Sequence, residues 1–352
     1  MYPREELIVS AGERVVVKAA PLNAETPPHA LAAPLTPAGA HYLRSHFDMP
    51  LIDPARHSIA VGGALAQPYS LGLAELLALP RRHVTFTMEC AGNQRVGIRP
   101  LPAGMPWDRG AVATASWSGV PLGLLLERAG VRDDVVGIVC RGADRGQPAG
   151  AATVQPFARA LPIDKARDPD TIVALEMNGG PIPLVHGGPA RLIVPGWYGM
   201  ASVKWLERIE AVTTPFAGWF QSADYVYDEG AGRIVPVTEM RVRAHLVAPA
   251  RDGCVPRGEL HVWGWAWSGA APIAGVDVGL DGDDYRAARL DALMAPHAWR
   301  RFELAIAVLA PGRHTLRARA RDATGNVQPE VPRWNRLGFG NNAVLPIVFE
   351  VI

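Results

Sequence analysis

The sequence predicts a domain that mixes strands with short helices, followed by an all-β sandwich. Three observations carry this. The chain has 352 residues, more than one hydrophobic core usually serves, so two domains are expected. From Ile59 to about Thr213, β-rich runs alternate with stretches of helical apolar spacing. After about Glu239 only short alternating runs remain, divided by Gly, Pro and Asp at regular intervals, the pattern of a sandwich. The expected division is an extended arm over 1–35, a mixed domain over 36–238 and a sandwich over 239–352.

The arm is proline-rich, with Leu7-Ile8-Val9 and Val15-Val16-Val17 as candidate edge strands. In the mixed domain, Ser58–Gly63 reads as a strand and turn. Ser70–Leu79 reads as a helix with Ser70 as N-cap and Pro80 as its stop. Val84–Met88 is a β-rich run that ends almost at Cys90. Pro121–Ala129 has helical spacing, closed by Gly130. Val135–Cys140 and Arg191–Val194 read as buried strands, the latter followed by the turn Pro195-Gly196. In the sandwich, strands are expected within Glu259–Trp265, Gly275–Leu280, Phe302–Val308, Thr315–Ala320 and Val344–Ile352.

Composition narrows the partners. The hydrophobic fraction is 49% and the charged fraction 20%, as in an ordinary globular protein. A net charge of +1 argues against nucleic acid, which calls for a basic surface. No apolar run reaches the ~18–20 residues that span a bilayer, so no membrane association is expected. Met1–Leu7 lacks a basic segment followed by an apolar one. The expected location is therefore cytoplasmic, or periplasmic if a leader has been removed. The three cysteines, Cys90, Cys140 and Cys254, are too few and too scattered for a disulfide framework, and no C-x-x-C or C-x-x-C-H run is present for zinc or for attached haem.

Several residues stand out chemically, each with an ordinary alternative. Cys90 leaves a strand through Ala91-Gly92-Asn93, and Arg95 and Arg99 follow closely; positive charge favours a thiolate, although most lone cysteines are small buried hydrophobes. Arg44-Ser45-His46 is either a polar loop or part of an anion site. In His186-Gly187-Gly188-Pro189-Ala190-Arg191 the glycines admit close approach of a ligand and Arg191 can grip an oxyanion, yet no P-loop signature follows. Tyr225 offers a phenol donor or a core ring with its hydroxyl satisfied.

Blocks in register across residues 36–352 resemble the sulfite oxidase family of molybdenum enzymes. They are Tyr42-Leu43-Arg44-Ser45-His46, Cys90-Ala91-Gly92-Asn93-Gln94-Arg95, Trp107 with Gly110-Ala111-Val112, His186 to Arg191 with Val194-Pro195-Gly196, Val203-Lys204-Trp205-Leu206, Trp219 with Asp224-Tyr225, Gly264 to Gly269, and Trp334-Asn335. The resemblance implies an α+β molybdopterin-binding domain followed by an immunoglobulin-like β-sandwich that dimerises. It implies that Cys90 ligates molybdenum, and that Tyr42, Arg44, Ser45, His46, Asp144, His186, Arg191, Ser202 and Lys204 surround the pterin and its phosphate. Arg44, Arg95, Trp107, Tyr225 and Arg336 then belong to the substrate pocket, with Cys90, Tyr225, Arg44 and Arg95 as the catalytic set. The activity implied is oxidation of sulfite by oxygen-atom transfer, in a chain without haem, with a cytochrome or oxygen as separate electron acceptor. The alternatives are a molybdenum enzyme acting on another small oxyanion or S-oxide, such as nitrate or a sulfoxide, and a cofactor-free interaction module.

Three departures from the family pattern bear on the pocket. Gln94 replaces one arginine of C-A-G-N-R-R. Trp263 stands where vertebrate members carry lysine. The C-terminal W-N-x-R-G reads Trp334-Asn335-Arg336-Leu337-Gly338, with arginine one place early. In a strand, one place reverses the side chain, which puts the place of Arg336 in the pocket in question. Together these predict a less cationic pocket.

Overall fold

The computed structural model describes residues 12–282, 284–308 and 310–352. The Leu7-Ile8-Val9 run lies outside them. The first described strand of the arm is Val15–Lys18, paired antiparallel with Asn23–Glu25. It then runs along both domains through the short turn of helix Pro28–Ala32. Two indoles from the sandwich hold it: Trp265 Nε1 donates to the Leu31 carbonyl at 2.6 Å, and Trp299 Nε1 to that of Pro34 at 2.9 Å.

The first domain contains two five-stranded sheets. In one, Arg82–Glu89 lies against Val112–Pro121, which lies against Ile172–Met177; Gly180–Pro181 and Arg191–Ile193 both pair with that third strand. In the other the order is Tyr69–Gly72, Ser58–Gly63, Leu206–Val212, Gly137–Gly146 and Gln155–Pro162. The helix Leu122–Ala129 buries Leu122, Leu125, Leu126 and Ala129 on one face and ends at Gly130, whose φ of +67° is the left-handed C-cap its sequence predicts.

The helix expected over Ser70–Leu79 is shorter, Leu73–Leu77. Residues Tyr69–Gly72 instead pair with Ser58–Val61, and the ladder outweighs the local capping preference of Ser70. Glu75 still closes the helix start, accepting the Gly72 N–H at 2.8 Å. The strand expected over Val135–Cys140 runs as Gly137–Gly146, which carries it on to Asp144.

The sandwich packs a four-stranded sheet (Arg243–Ala248, Gly258–Trp267, Arg300–Val308, Arg289–Leu290) on a five-stranded one (Cys254–Val255, Ile347–Val351, Gly312–Asp322, Ile273–Leu280, Arg286–Ala287). Alternate residues of Gly312–Asp322 enter a core built with Val262, Val278, Phe302 and Phe349. Trp265, Trp267 and Trp299 belong instead to the core of the first domain. The two domains therefore share buried surface rather than hanging on a linker. No described helix is long and apolar enough to cross a membrane.

Candidate active site

The site begins where Arg82–Glu89 ends. That strand pairs with Val112–Pro121 along its whole length. Cys90 follows, its N–H donated to the Ala111 carbonyl at 2.9 Å and its carbonyl accepting from Asn93 N at 2.9 Å. The chain then turns back through Gln94, at φ +63°. Cys90 is 6% exposed and lines a buried chamber. Burial pushes its thiol up; Arg44 and Arg95 oppose this but do not overcome it. The positive charge expected near Cys90 is thus present, yet too weak to make a thiolate alone. A bound metal cation is the stronger agent for that step. Arg99 is turned to the carbonyls of Val96 and Ile98 and lines neither the chamber nor the cleft beyond it.

The chamber brings together Tyr42, Arg44, Ser45, His46, Asp144, His186, Arg191, Ser202 and Lys204 around Cys90. Arg191 donates to the carbonyls of His186 (2.7 Å) and Ser202 (2.8 Å) and lies over the Trp117 ring. Lys204 Nζ donates to Ser45 Oγ at 2.8 Å. Gly187, at φ +98°, lets the His186 turn approach Lys204 so closely that an added Cβ would sit 2.6 Å from the lysine Cβ. Among the described residues, Arg44, Arg95, Arg159, Arg191 and Lys204 form no ion pair; their contacts are carbonyls, hydroxyls, an amide oxygen, a thioether and rings. Burial lowers Arg159 and Arg191 to about 10. It also lowers Lys204, with Asp144 pulling the other way. Buried cations that lack a direct ion-pair partner are costly, and an anionic ligand relieves that cost. Burial likewise holds His46 and His186 well below the usual imidazole range, as neutral rings.

Beyond Cys90 the chamber opens into a cleft of about 520 Å³, and Arg44, Ser45, His46, Cys90 and Tyr225 line both. Arg95, Trp107 and Arg336 line the cleft, with Trp219, Phe220, Asp224 and Phe339. Arg95 spans its floor, donating to the carbonyls of Met105 (2.6 Å) and Leu337 (3.0 Å) beneath the Phe339 ring. His46 Nε2 lies 2.7 Å from Tyr225 Oη. Burial pushes the Tyr225 phenol up, so it keeps its proton.

The expectation for Arg336 is not what the structure shows. Residues 335–338 form a turn, closed by Gly338 N donating to the Asn335 carbonyl at 3.0 Å, so strand parity does not apply and Arg336 lines the cleft. Gln94 faces the seam between the domains, where its side chain accepts a hydrogen bond from Arg243. Trp263 sits in the sandwich, edge-on to Trp265 and under Arg301. Sequence reasoning missed His41, Met88, Phe157, Gly199 and Met200, which also line the chamber. Only His41, adjoining the Tyr42–His46 block, carried any signal; the others are apolar or small and look like core.

The comparisons with known proteins agree with this geometry. Residues 46–220 match the oxidoreductase molybdopterin binding domain, and residues 235–351 the Mo-co oxidoreductase dimerisation domain. Fold and site together thus define a molybdopterin-binding oxidoreductase. Sulfite oxidase of Gallus gallus is 36% identical over 92% of this chain and 75% of its own length. Mitochondrial sulfite oxidase of Mus musculus is 33% identical over 94% of this chain, which spans 64% of that protein. The crystal structure of the sulfane dehydrogenase SoxCD from Paracoccus pantotrophus superposes with a TM-score of 0.81 at 30% identity, covering 92% of this chain and 83% of that one. The chain belongs to the sulfite oxidase family.

Proposed function

We propose that the protein oxidises sulfite to sulfate by oxygen-atom transfer at a molybdenum held by Cys90 and a molybdopterin. One observation carries the reading: a buried cysteine lies between a chamber of cations without ion pairs and an open cationic cleft. The donor set fits the group. Among the described residues no cluster of His, Cys, Asp and Glu is placed to hold a metal unaided, as suits a metal that brings its own dithiolene sulfurs, and a soft thiolate suits such a metal. Arg191, Lys204 and His186, with Tyr42, Ser45, His46, Asp144 and Ser202, would hold the pterin and its phosphate. The bound cofactor supplies the transferable oxygen and takes up the two electrons.

The chain's own part is positioning and charge. Arg44, Arg95 and Arg336 attract and orient a small oxyanion. Tyr225, protonated and backed by neutral His46, donates a hydrogen bond to a substrate oxygen. Trp107 walls the pocket. Electrons pass to a separate acceptor, a cytochrome or oxygen, and the dimerisation domain pairs two copies of the chain. The aromatic wall of Trp219, Phe220 and Phe339 favours a second reading, in which a larger sulfur compound or an S-oxide enters the cleft.

The test is cofactor-replete expression, metal and pterin analysis, and steady-state turnover with sulfite and ferricyanide. Bound molybdenum and sulfite-dependent reduction are expected in the native protein, and neither in Cys90→Ser. A fully active Cys90→Ser variant sinks the assignment. Turnover with reduced viologen and an S-oxide, without sulfite oxidation, establishes the second reading.

A further inference from the structure

The loop that carries Cys90 is fastened from the other domain. Glu89, 2% exposed, precedes the cysteine directly. It accepts hydrogen bonds from Asn93 Nδ2 at 2.9 Å and Trp267 Nε1 at 3.0 Å, and pairs with Arg243, itself 3% exposed. The Arg243 guanidinium also donates to the Gln94 side chain and, at 2.7 Å, to the Asn341 carbonyl. Asn341 Nδ2 returns a bond to the Gln94 carbonyl at 2.8 Å, and Gly340 N donates to Ala91 O at 2.7 Å. Arg243 and Trp267 face each other across the first ladder of the sandwich. One rigid sheet edge thus presents both donors to one carboxylate.

Gln94 carries no charge, and the Arg243 guanidinium stands beside it. We infer that Arg243 is a positioning residue for the metal-ligand loop, supplying from the second domain the positive group that holds Glu89 and Gln94 on either side of Cys90. The pair Glu89–Arg243 is fully buried and bonded at several points, the condition in which removing one partner leaves an uncompensated charge. The loop has no helix or strand of its own between Glu89 and Arg95. Its conformation, and with it the direction of the Cys90 Sγ, is therefore set jointly by its own turn, by the bonds to Ala111 and by these contacts from the second domain.

The inference rests on Cys90 being the metal ligand. The experiment compares the loaded native protein with Arg243→Gln and with the exchange Gln94→Arg/Arg243→Gln. Three quantities are read: molybdenum retained per chain after dialysis, the position of the thiolate-to-metal absorption band, and the melting temperature. Arg243→Gln is expected to lose molybdenum about tenfold faster and to shift the band, as is usual when a ligand's supporting partner is removed. The exchange is expected to restore both. Native-like retention and band position in Arg243→Gln, whatever its melting temperature, overturn the inference. If Arg243→Gln does not fold, Arg243→Lys, which keeps charge but lacks the fork, takes its place; native-like retention and band there are equally fatal. A native protein that binds no molybdenum sinks the cofactor reading and this inference together. One that binds molybdenum but ignores sulfite sinks only the substrate.

Discussion

At the scale of single residues the site divides into cations that are buried and cations that meet solvent. Arg191 is 4% exposed and is committed to carbonyls on both sides, so it shapes the chamber. Arg336 is exposed on a turn at the cleft mouth, where charge acts chiefly on encounter. Arg336→Gln is therefore expected to raise the KM for sulfite about three- to tenfold with little change in kcat, and to flatten its dependence on ionic strength; steady-state kinetics at two salt concentrations check this. An equal fall in kcat would place the residue at the reacting centre instead. The same scale shows what the sequence could and could not carry. Cys90 stood out only modestly from its β-rich run and nearby arginines, and it was the blocks in register around it that singled it out. The position of Arg336 was not legible, because W-N-R-L-G reads equally well as a strand or a turn, and only the Gly338-to-Asn335 bond decides between them. The seam contact of Gln94 was not legible either: its partner lies 149 positions away.

At the scale of elements, small residues and buried acids do the shaping. Gly199 opens the short helical turn Gly199–Ala201 and lines the chamber. A Cβ there would meet Tyr42 Oη at 2.5 Å and Met88 Cγ at 3.1 Å. Gly199→Ala is expected to cost about 1–3 kcal/mol by overpacking and to lower the molybdopterin content; chemical denaturation and pterin analysis measure the two. The strand Asn23–Glu25 gives a pH-dependent prediction. Burial raises the Glu25 carboxyl to about 7, against the backbone N–H groups of Asp108 and Gly110 that it accepts. A carboxyl raised on folding is uncharged more readily in the folded state. Its penalty is absent below the unfolded value of 4.5, grows as pH rises, and is complete above about 7. Glu25→Gln is expected to match the native denaturation midpoint near pH 4 and exceed it at pH 8; parallel midpoints across that range refute the assignment. Most element types followed from periodicity and caps, since Leu122–Ala129 with Gly130 and the long sandwich strands satisfy local and distant demands together. Tyr69–Gly72 did not, because pairing with Ser58–Val61 overrode the local preference.

At the scale of the whole molecule the fold class, a mixed domain followed by a β-sandwich, was legible from length and from the change of pattern after Glu239. Their degree of union was not. Three tryptophans of the sandwich complete the core of the first domain, and no periodicity announces which core a strand's aromatic face will join. The sandwich matches a dimerisation domain, so sedimentation velocity is expected to give twice the chain mass at micromolar concentration, and a monomer under those conditions would count against pairing.

The arm has a consequence for how the molecule is made. Its carbonyls at Leu31 and Pro34 accept from Trp265 and Trp299, 234 and 265 positions later, and the Cys90 loop takes bonds from Gly340 and Arg243. Residues early in the chain thus wait for partners more than two hundred positions later. The arm and the Cys90 loop are thus closed by contacts of high sequence separation, the kind that forms late in folding because the intervening chain must first be gathered.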